Sequence, residues 1–135
     1  MSKLTDELKQ VGLFSDLNQR QLGQLGRLFR ERRFAPGMSV VREGKMSGVG
    51  FFLISEGEAT VTVGGKKITT LGPGDHFGEL AMISERERTA TVTAETQVVC
   101  LEIPFWDFKD FALKNPDVTW KLLQHVVGVL GAAPA

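Results

Sequence analysis

Residues 51–63 read Phe-Phe-Leu-Ile-Ser-Glu-Gly-Glu-Ala-Thr-Val-Thr-Val, and this stretch decides the fold of the chain. Its first four residues form a continuous apolar run, and residues 58–63 alternate between polar and apolar side chains after the turn residue Gly57. Alternation places the apolar side chains on one face of a strand, and Thr and Val are residues that strands favour. The stretch therefore predicts two consecutive strands, each with a buried face.

Short strands separated by glycine turns continue on both sides of this stretch. Residues 89–94 and 97–103 repeat the alternation of polar and apolar side chains. Many short strands at this spacing indicate a compact sandwich or barrel, here over residues 34–103. Further glycine turn signals stand at Pro36-Gly37, Glu43-Gly44, Gly64-Gly65 and Gly72-Pro73-Gly74.

Helical periodicity precedes these strands. From Thr5 to Arg33 the apolar residues recur at three- and four-residue steps, which predicts two short helices. Candidate caps for the second helix are Ser15, Asp16 and Asn18, because their side-chain oxygens can accept hydrogen bonds from free helical amides. The charged run of residues 30–33 is interpreted as the solvated end of the last helix of this segment.

The same periodicity returns after Pro104. It predicts a helix that Asn115-Pro116 interrupts and a second helix from Val118 to Leu130. We therefore expect one domain over residues 1–135, with helices at 5–33 and 104–130 around the strands. The last helix either packs on its own domain or forms a dimer seam, through an apolar side that carries Trp120, Leu123, Val126, Val127 and Leu130.

Composition excludes several classes of function. The 135 residues include 16 basic and 16 acidic side chains, so no net field attracts a nucleic acid or a membrane surface. The one cysteine, Cys100, lies in an apolar run and is interpreted as a small core residue. No stretch approaches the roughly 20 apolar residues of a membrane span. We expect a cytoplasmic protein that by itself binds neither nucleic acid nor membrane.

A purely structural role does not account for the residue types of segment 77–94. Gly78 lets the backbone approach a ligand closely, and free amides at the start of a following helical turn attract an anion. Arg88 offers a charge and paired donors that match phosphate oxygens, whereas the carboxylate of Glu79 only accepts hydrogen bonds and suits a sugar hydroxyl. A surface ion pair with a neighbouring glutamate is the structural alternative for Arg88. The segment thus predicts recognition of a sugar and a phosphate on one molecule.

This segment resembles the phosphate-binding cassette of cyclic-nucleotide-binding domains, which occur in protein kinase A regulatory subunits, cyclic-nucleotide-gated channels and the catabolite activator protein. Phe-Gly-Glu-Leu-Ala at residues 77–81 and Arg-Thr-Ala-Thr-Val at residues 88–92 match the cassette almost letter for letter. The resemblance covers roughly residues 13–130. It implies an α+β, mainly β fold: an eight-stranded antiparallel, jelly-roll-like β-roll flanked by N-terminal and C-terminal helices.

The resemblance also implies roles for individual residues. Arg88 is expected to hold the cyclic phosphate and Glu79 the ribose 2′-hydroxyl, while Thr89 meets the phosphate or a guanine amino group. Backbone amides near Leu80, Ala81 and Ala90 are expected to assist at the phosphate and ribose, and the backbone is expected to approach the ligand closely at Gly78. The expected base-facing residues are Val61, Ile68 and Leu71, with Val92 beneath the cassette.

Two departures from the family pattern stand out. His76 replaces a residue that is commonly aromatic or apolar, and we interpret it as a structural histidine. The C-terminal helix, which in the family covers the base or forms a dimer seam, ends near Leu130. Either it forms a short lid, the base stays partly open, or a partner completes the cover. A homodimer or an effector domain is the expected partner of this helix.

The predicted function is a regulatory sensor of cAMP, with cGMP as the alternative ligand. The sequence holds no Ser/His/Asp set and no metal-ligand cluster, so we expect no enzyme activity, no metal and no cofactor besides the bound nucleotide. A ligand-free interaction domain is one alternative. Another is the sensor half of a transcription factor or other larger regulator, whose helix-turn-helix would follow Ala135.

Overall fold

The computed structural model describes residues 3–44, 50–78 and 89–131. The chain divides into two compact units. Residues 29–105 form a β unit, and residues 1–28 together with 106–135 form a helical unit.

The β unit contains two four-stranded antiparallel sheets in its described part. The first has the order β1-β8-β3-β6 and the second the order β2-β7-β4-β5. This arrangement confirms the predicted fold class and the eight antiparallel strands. The strands are β1 (Arg30–Phe34), β2 (Ser39–Val41), β3 (Gly50–Glu56), β4 (Ala59–Val63), β5 (Lys66–Leu71), β6 (His76–Phe77), β7 (Thr91–Ala94) and β8 (Val98–Pro104).

The core of the β unit lies between the two sheets. Both sheets contribute alternate side chains to one apolar cluster, as the period of two in a strand requires. The next three residues of β3 after Phe51 are each at most 1% exposed, so this strand is buried on both faces. The cluster consists of Phe34, Val41, Phe52, Ile54, Ala59, Val92, Ala94, Val98 and Cys100.

The prediction that residues 30–33 form a helix end is wrong. These residues belong to β1. Helix α2 (Gln19–Gly26) ends earlier, and β1 pairs along its whole length with β8. Arg32 Nη1 lies 2.6 Å from Glu102 Oε1, and its guanidinium carbon lies 5.1 Å from the centroid of the Phe34 ring. An edge strand tolerates charged side chains because one of its sides faces water. The β-roll therefore begins at residue 30 instead of 34.

The helical unit joins segments from both ends of the chain. Asn18 caps α2 as predicted, and its side chain accepts a hydrogen bond from the Gln21 amide at 2.9 Å. The rings of Phe14 and Phe108 lie 6.4 Å apart, between centroids. Besides α2, the helices are α1 (Lys3–Lys9), a short 3-10 helix (Gly12–Phe14), α3 (Phe105–Lys114) and α4 (Pro116–Leu130).

The turn between β3 and β4 depends on a glycine. Gly57 has a φ of +89°, and a Cβ there would lie 2.1 Å from the carbonyl oxygen of Gln97. We expect Gly57→Ala to lower the free energy of unfolding by about 3 kcal/mol or more, because left-handed backbone strain and a steric clash add together. Urea denaturation followed by circular dichroism measures this loss.

Gly64→Ala is the matched control for this prediction. Gly64 has a φ of +59°, but no described atom lies within 4 Å of its Cβ position. Gly64→Ala should therefore lower the free energy of unfolding by only about 1 kcal/mol, the contribution of backbone strain alone. Similar losses in the two variants would contradict the close approach of the Gly57 turn to Gln97.

Candidate ligand-binding site

The segment that the sequence analysis assigned to ligand binding connects the two sheets. Phe77 ends β6 in the first sheet, and Thr89 and Ala90 lead into β7 in the second sheet. The structure describes both ends of the segment, one at the end of β6 in the first sheet and the other just before β7 in the second. Four predicted contact residues lie outside the described residues: Glu79, Leu80, Ala81 and Arg88.

The entry into the segment is fixed by an aromatic anchor and a glycine. The half-buried Phe77 packs on the apolar cluster, and its ring stacks on Phe52 with centroids 5.0 Å apart and planes 11° apart. Gly78 follows with a φ of +96°, a conformation that glycine adopts far more readily than residues with a side chain. The core thus sets the position from which the chain leaves β6.

Two of the three predicted base-facing residues lie on the inner face of the second sheet. Val61 and Leu71 are half-buried and pack against the apolar cluster. Val61 pairs with Val92 of β7, which is 3% exposed. These three side chains form an apolar row on the inner face of the second sheet.

Ile68 stands apart from this row because of a register shift. Val61 lies opposite Thr69, whereas the next residue of β4 lies opposite Lys67, so Ile68 is an extra residue on β5. Its side chain is 58% exposed. A bulge of this kind redirects a side chain and is frequent beside binding sites.

At the exit from the segment, Thr89 is exposed and Ala90 is half-buried. The side chain of the exposed residue is therefore accessible to a ligand. Ala90 leads directly into the paired strand β7.

An ion pair that sequence reasoning missed lies on the inner face of the first sheet. Glu102 is 7% exposed and is held by Arg32, and a Cβ at Gly50 would lie 3.4 Å from its Oε2 atom. The pair was missed because the arginine was assigned to a helix end. A buried carboxylate needs such a partner, since an unpaired charge in the interior is unfavourable.

His76 has the structural role that its position in the sequence predicted. It is half-buried in β6, and its ring centroid lies 5.6 Å from that of Phe51. Packing against a core phenylalanine explains why an aromatic ring suits this position.

The predicted apolar side of the C-terminal helix is mostly the exposed side. Val118 and Leu122 are the most buried residues of α4 among those whose side chains are described, at 1% and 6% exposed. This side, expected either to pack on its own domain or to form a dimer seam, shows side chains between 50% and 81% exposed at four positions: Trp120, Leu123, Val127 and Leu130.

The described ranges 3–44, 50–78 and 89–131 also bear on metal binding and on membrane crossing. Three or more His, Cys, Asp or Glu side chains do not come together there in a group that fits a metal ion. Within the same ranges, the helices are too short or too polar to cross a membrane.

Comparison with known families and curated proteins gives a consistent result. The family model described as "Cyclic nucleotide-binding domain" matches residues 31–115. The chain is 31% identical to glutaminase 2 of Bradyrhizobium diazoefficiens over 123 residues, which cover 91% of the chain and 20% of that protein. It is 39% identical to the cAMP-dependent protein kinase regulatory subunit of Yarrowia lipolytica over 93 residues, which cover 67% of the chain and 24% of that protein. The chain thus spans a quarter or less of the length of either relative.

Solved structures with the same fold include a domain of nearly the same extent. The N-terminal domain of a transcriptional regulator from Streptomyces coelicolor A3(2) superposes with a TM-score of 0.83 at 28% identity, covering 93% of this chain and 92% of that one. The regulatory domain of Toxoplasma gondii PKA, crystallised with cAMP, superposes with a TM-score of 0.71 at 28% identity. That match covers 80% of this chain and 42% of the other.

The buried thiol of Cys100, a member of the apolar cluster, gives a test of that cluster. Burial, with a smaller contribution from Glu102, raises the pKa of Cys100 to about 12, so its thiol stays protonated at neutral pH. We expect an aromatic disulfide reagent at pH 8 to label the folded protein at least about 100-fold more slowly than the unfolded protein, because the thiolate is the reactive form. Fast labelling of the folded protein would contradict a closed cluster.

Proposed function

This chain belongs to the cyclic nucleotide-binding domain family, and on that premise we propose that it is a regulatory module that binds cAMP, with cGMP as the alternative ligand. The observation that carries the proposal is the two-part motif at residues 77–81 and 88–92, which stands where the chain passes from one sheet to the other. The module performs no chemistry itself in this proposal, and its two units act as one functional domain over residues 1–135.

Arg88 is the proposed phosphate ligand. A guanidinium gives two parallel hydrogen bonds to phosphate oxygens and a full positive charge, which together suit a cyclic phosphodiester. Backbone amides at Leu80, Ala81 and Ala90 are proposed to supply further donors. The left-handed backbone of Gly78 supports this proposal, because it turns the chain sharply without placing a Cβ near the ligand.

Glu79 and three apolar residues of the second sheet are proposed to recognise the rest of the nucleotide. A carboxylate accepts hydrogen bonds from the ribose 2′-hydroxyl and repels the phosphate, so it orients the ligand as well as binding it. Val61, Ile68 and Leu71 are proposed to contact the base. All three retain exposed apolar surface, and covering that surface with a flat base is favourable. Thr89 is proposed to reach the phosphate or a guanine amino group.

The proposed signal leaves through the C-terminal helices. A ligand shifts a conformational equilibrium only when it binds one state better than the other. We propose that nucleotide binding changes the position of α4 and that its exposed apolar residues contact a homodimer partner or an effector domain. The curated relatives are several times longer than this chain, which supports the alternative that it is the sensor part of a larger regulator.

Calorimetric titration with cAMP and cGMP tests the phosphate role. We expect saturable binding to the wild-type protein and a loss of about 1.5–3 kcal/mol in Arg88→Ala, because a charge-assisted bond to phosphate is removed. Arg27→Ala is the matched control, since it removes an exposed arginine of the helical unit and should leave affinity unchanged. Equal weakening in both variants would contradict the role of Arg88. No heat with either nucleotide would favour the ligand-free interaction domain.

A deoxy analogue tests the ribose role. Glu79→Ala should weaken cAMP by about 1 kcal/mol, the usual contribution of one hydrogen bond, and should leave 2′-deoxy-cAMP almost unaffected. The comparison of the two ligands in the same calorimeter isolates the hydroxyl. If both ligands lose the same affinity, the carboxylate does not bind the 2′-hydroxyl.

A further inference from the structure

Gln21 is a buried polar residue that connects the two ends of the chain within the helical unit. It lies on α2 and is only 2% exposed, with Leu22 beside it at 0%. Its Nε2 atom donates a hydrogen bond to Asp117 Oδ2 at 2.7 Å, and its Oε1 atom accepts one from Lys121 Nζ at 2.9 Å. The same Oε1 atom accepts the backbone N–H of Asn18 at 3.0 Å. One amide therefore contacts both α2 and α4.

The chemistry of the amide matches this position. Asp117 and Lys121 are separated by one turn of α4 and have opposite charges, so a residue that contacts both must donate to one and accept from the other. A carboxylate would repel Asp117, and an ammonium would repel Lys121. A neutral amide satisfies both charges at once. Buried polar groups that lose a partner destabilise the fold, so the arrangement is constrained from both sides.

The lowered pKa of Asp117 is consistent with this contact. The hydrogen bond from Gln21 is the main cause that lowers the pKa of Asp117 below its ordinary value. A lowered pKa means that the contact stabilises the folded protein above the unfolded-state pKa and is lost as the pH falls through the folded-state value. Asp117 also lies in the first turn of α4, where a negative charge is favourable.

We infer that Gln21 is a positioning residue that couples the N-terminus of α2 to the first two turns of α4, beyond its role in capping α2. The capping contact with Asn18 is local, whereas the contacts with Asp117 and Lys121 span 96 and 100 residues of sequence. A displacement of the start of α4 would therefore either move the N-terminal end of α2 with it or break these hydrogen bonds. In the module proposed above, the N-terminal helix would then respond together with the C-terminal one, and this consequence rests on the proposed function.

Gln21→Glu separates coupling from capping. Glu is a preferred residue at this position of a capping box, so a residue that only caps α2 tolerates the change. Coupling predicts that the change destabilises the protein, because the introduced carboxylate faces Asp117. We expect the unfolding equilibrium constant to rise about tenfold at pH 7, from urea denaturation of the ligand-free protein.

The same change made together with Asp117→Asn completes the test. The introduced carboxylate then accepts hydrogen bonds from the Asn amide and from Lys121, so the double variant should recover nearly all of the lost stability relative to Asp117→Asn alone. Gln19→Glu, at an exposed position of the same helix, should leave stability unchanged within about twofold.

The outcomes of this cycle are distinct. Recovery in the double variant, including the case in which Gln21→Glu alone does not fold, supports the coupling. Equal effects of Gln21→Glu with Asp and with Asn at position 117, or failure of both variants to fold, overturn it. The measurement uses no nucleotide, so a failure here says nothing against the proposed ligand, and a failure of nucleotide binding leaves the coupling standing.

Discussion

The inner faces of two four-stranded sheets meet over one apolar cluster, and this packing fixes where the chain leaves the first sheet at Phe77 and where it enters the second sheet at β7. Phe52 of β3 and Val92 of β7 belong to the same cluster from opposite sheets. A large apolar side chain contributes about 1.5–3 kcal/mol when it is fully buried. The sheets therefore cannot shift against each other without exposing side chains that are now at most a few per cent exposed.

The geometry of the candidate site follows from that packing. Phe77 stacks on Phe52, so the chain leaves the first sheet at a fixed place, and it enters the second sheet where Val92 pairs with Val61. Along β4 and β7, alternation places valine side chains on the inner face of the second sheet and threonine side chains on the outer face. On that inner face, Val61 and Leu71 are apolar side chains that are already partly covered by protein. In the proposed function, the flat base of the ligand contacts that face.

The sequence predicted those parts of the fold in which local chemistry and the period of the pattern agree. The alternation at residues 58–63 and 89–94, the cap at Asn18 and the interruption at Pro116 all appear in the structure. Segment 77–94 lies within residues 31–115, which the family model matches, and its assignment to ligand binding stays a prediction. The roles of individual residues in it remain predictions.

Other features depend on distant partners that no local pattern reveals. The charges of β1 resemble a helix end until Arg32 is paired with Glu102, which lies 70 residues away. Gln21 resembles an ordinary capping residue until α4 is placed beside it. The apolar residues of α4 lie on two sides of the helix, and periodicity alone does not distinguish the side that packs from the side that stays exposed. In each case, tertiary packing determined the outcome.

The most direct test of the account is a titration of the uniformly ¹⁵N-labelled protein with cAMP, followed by amide chemical shifts. Binding at the proposed site should produce saturable shift changes that concentrate at Gly78, Thr89, Ala90 and Val61. Saturable changes confined to the exposed side of α4, or spectra that do not change at millimolar cAMP, would contradict it.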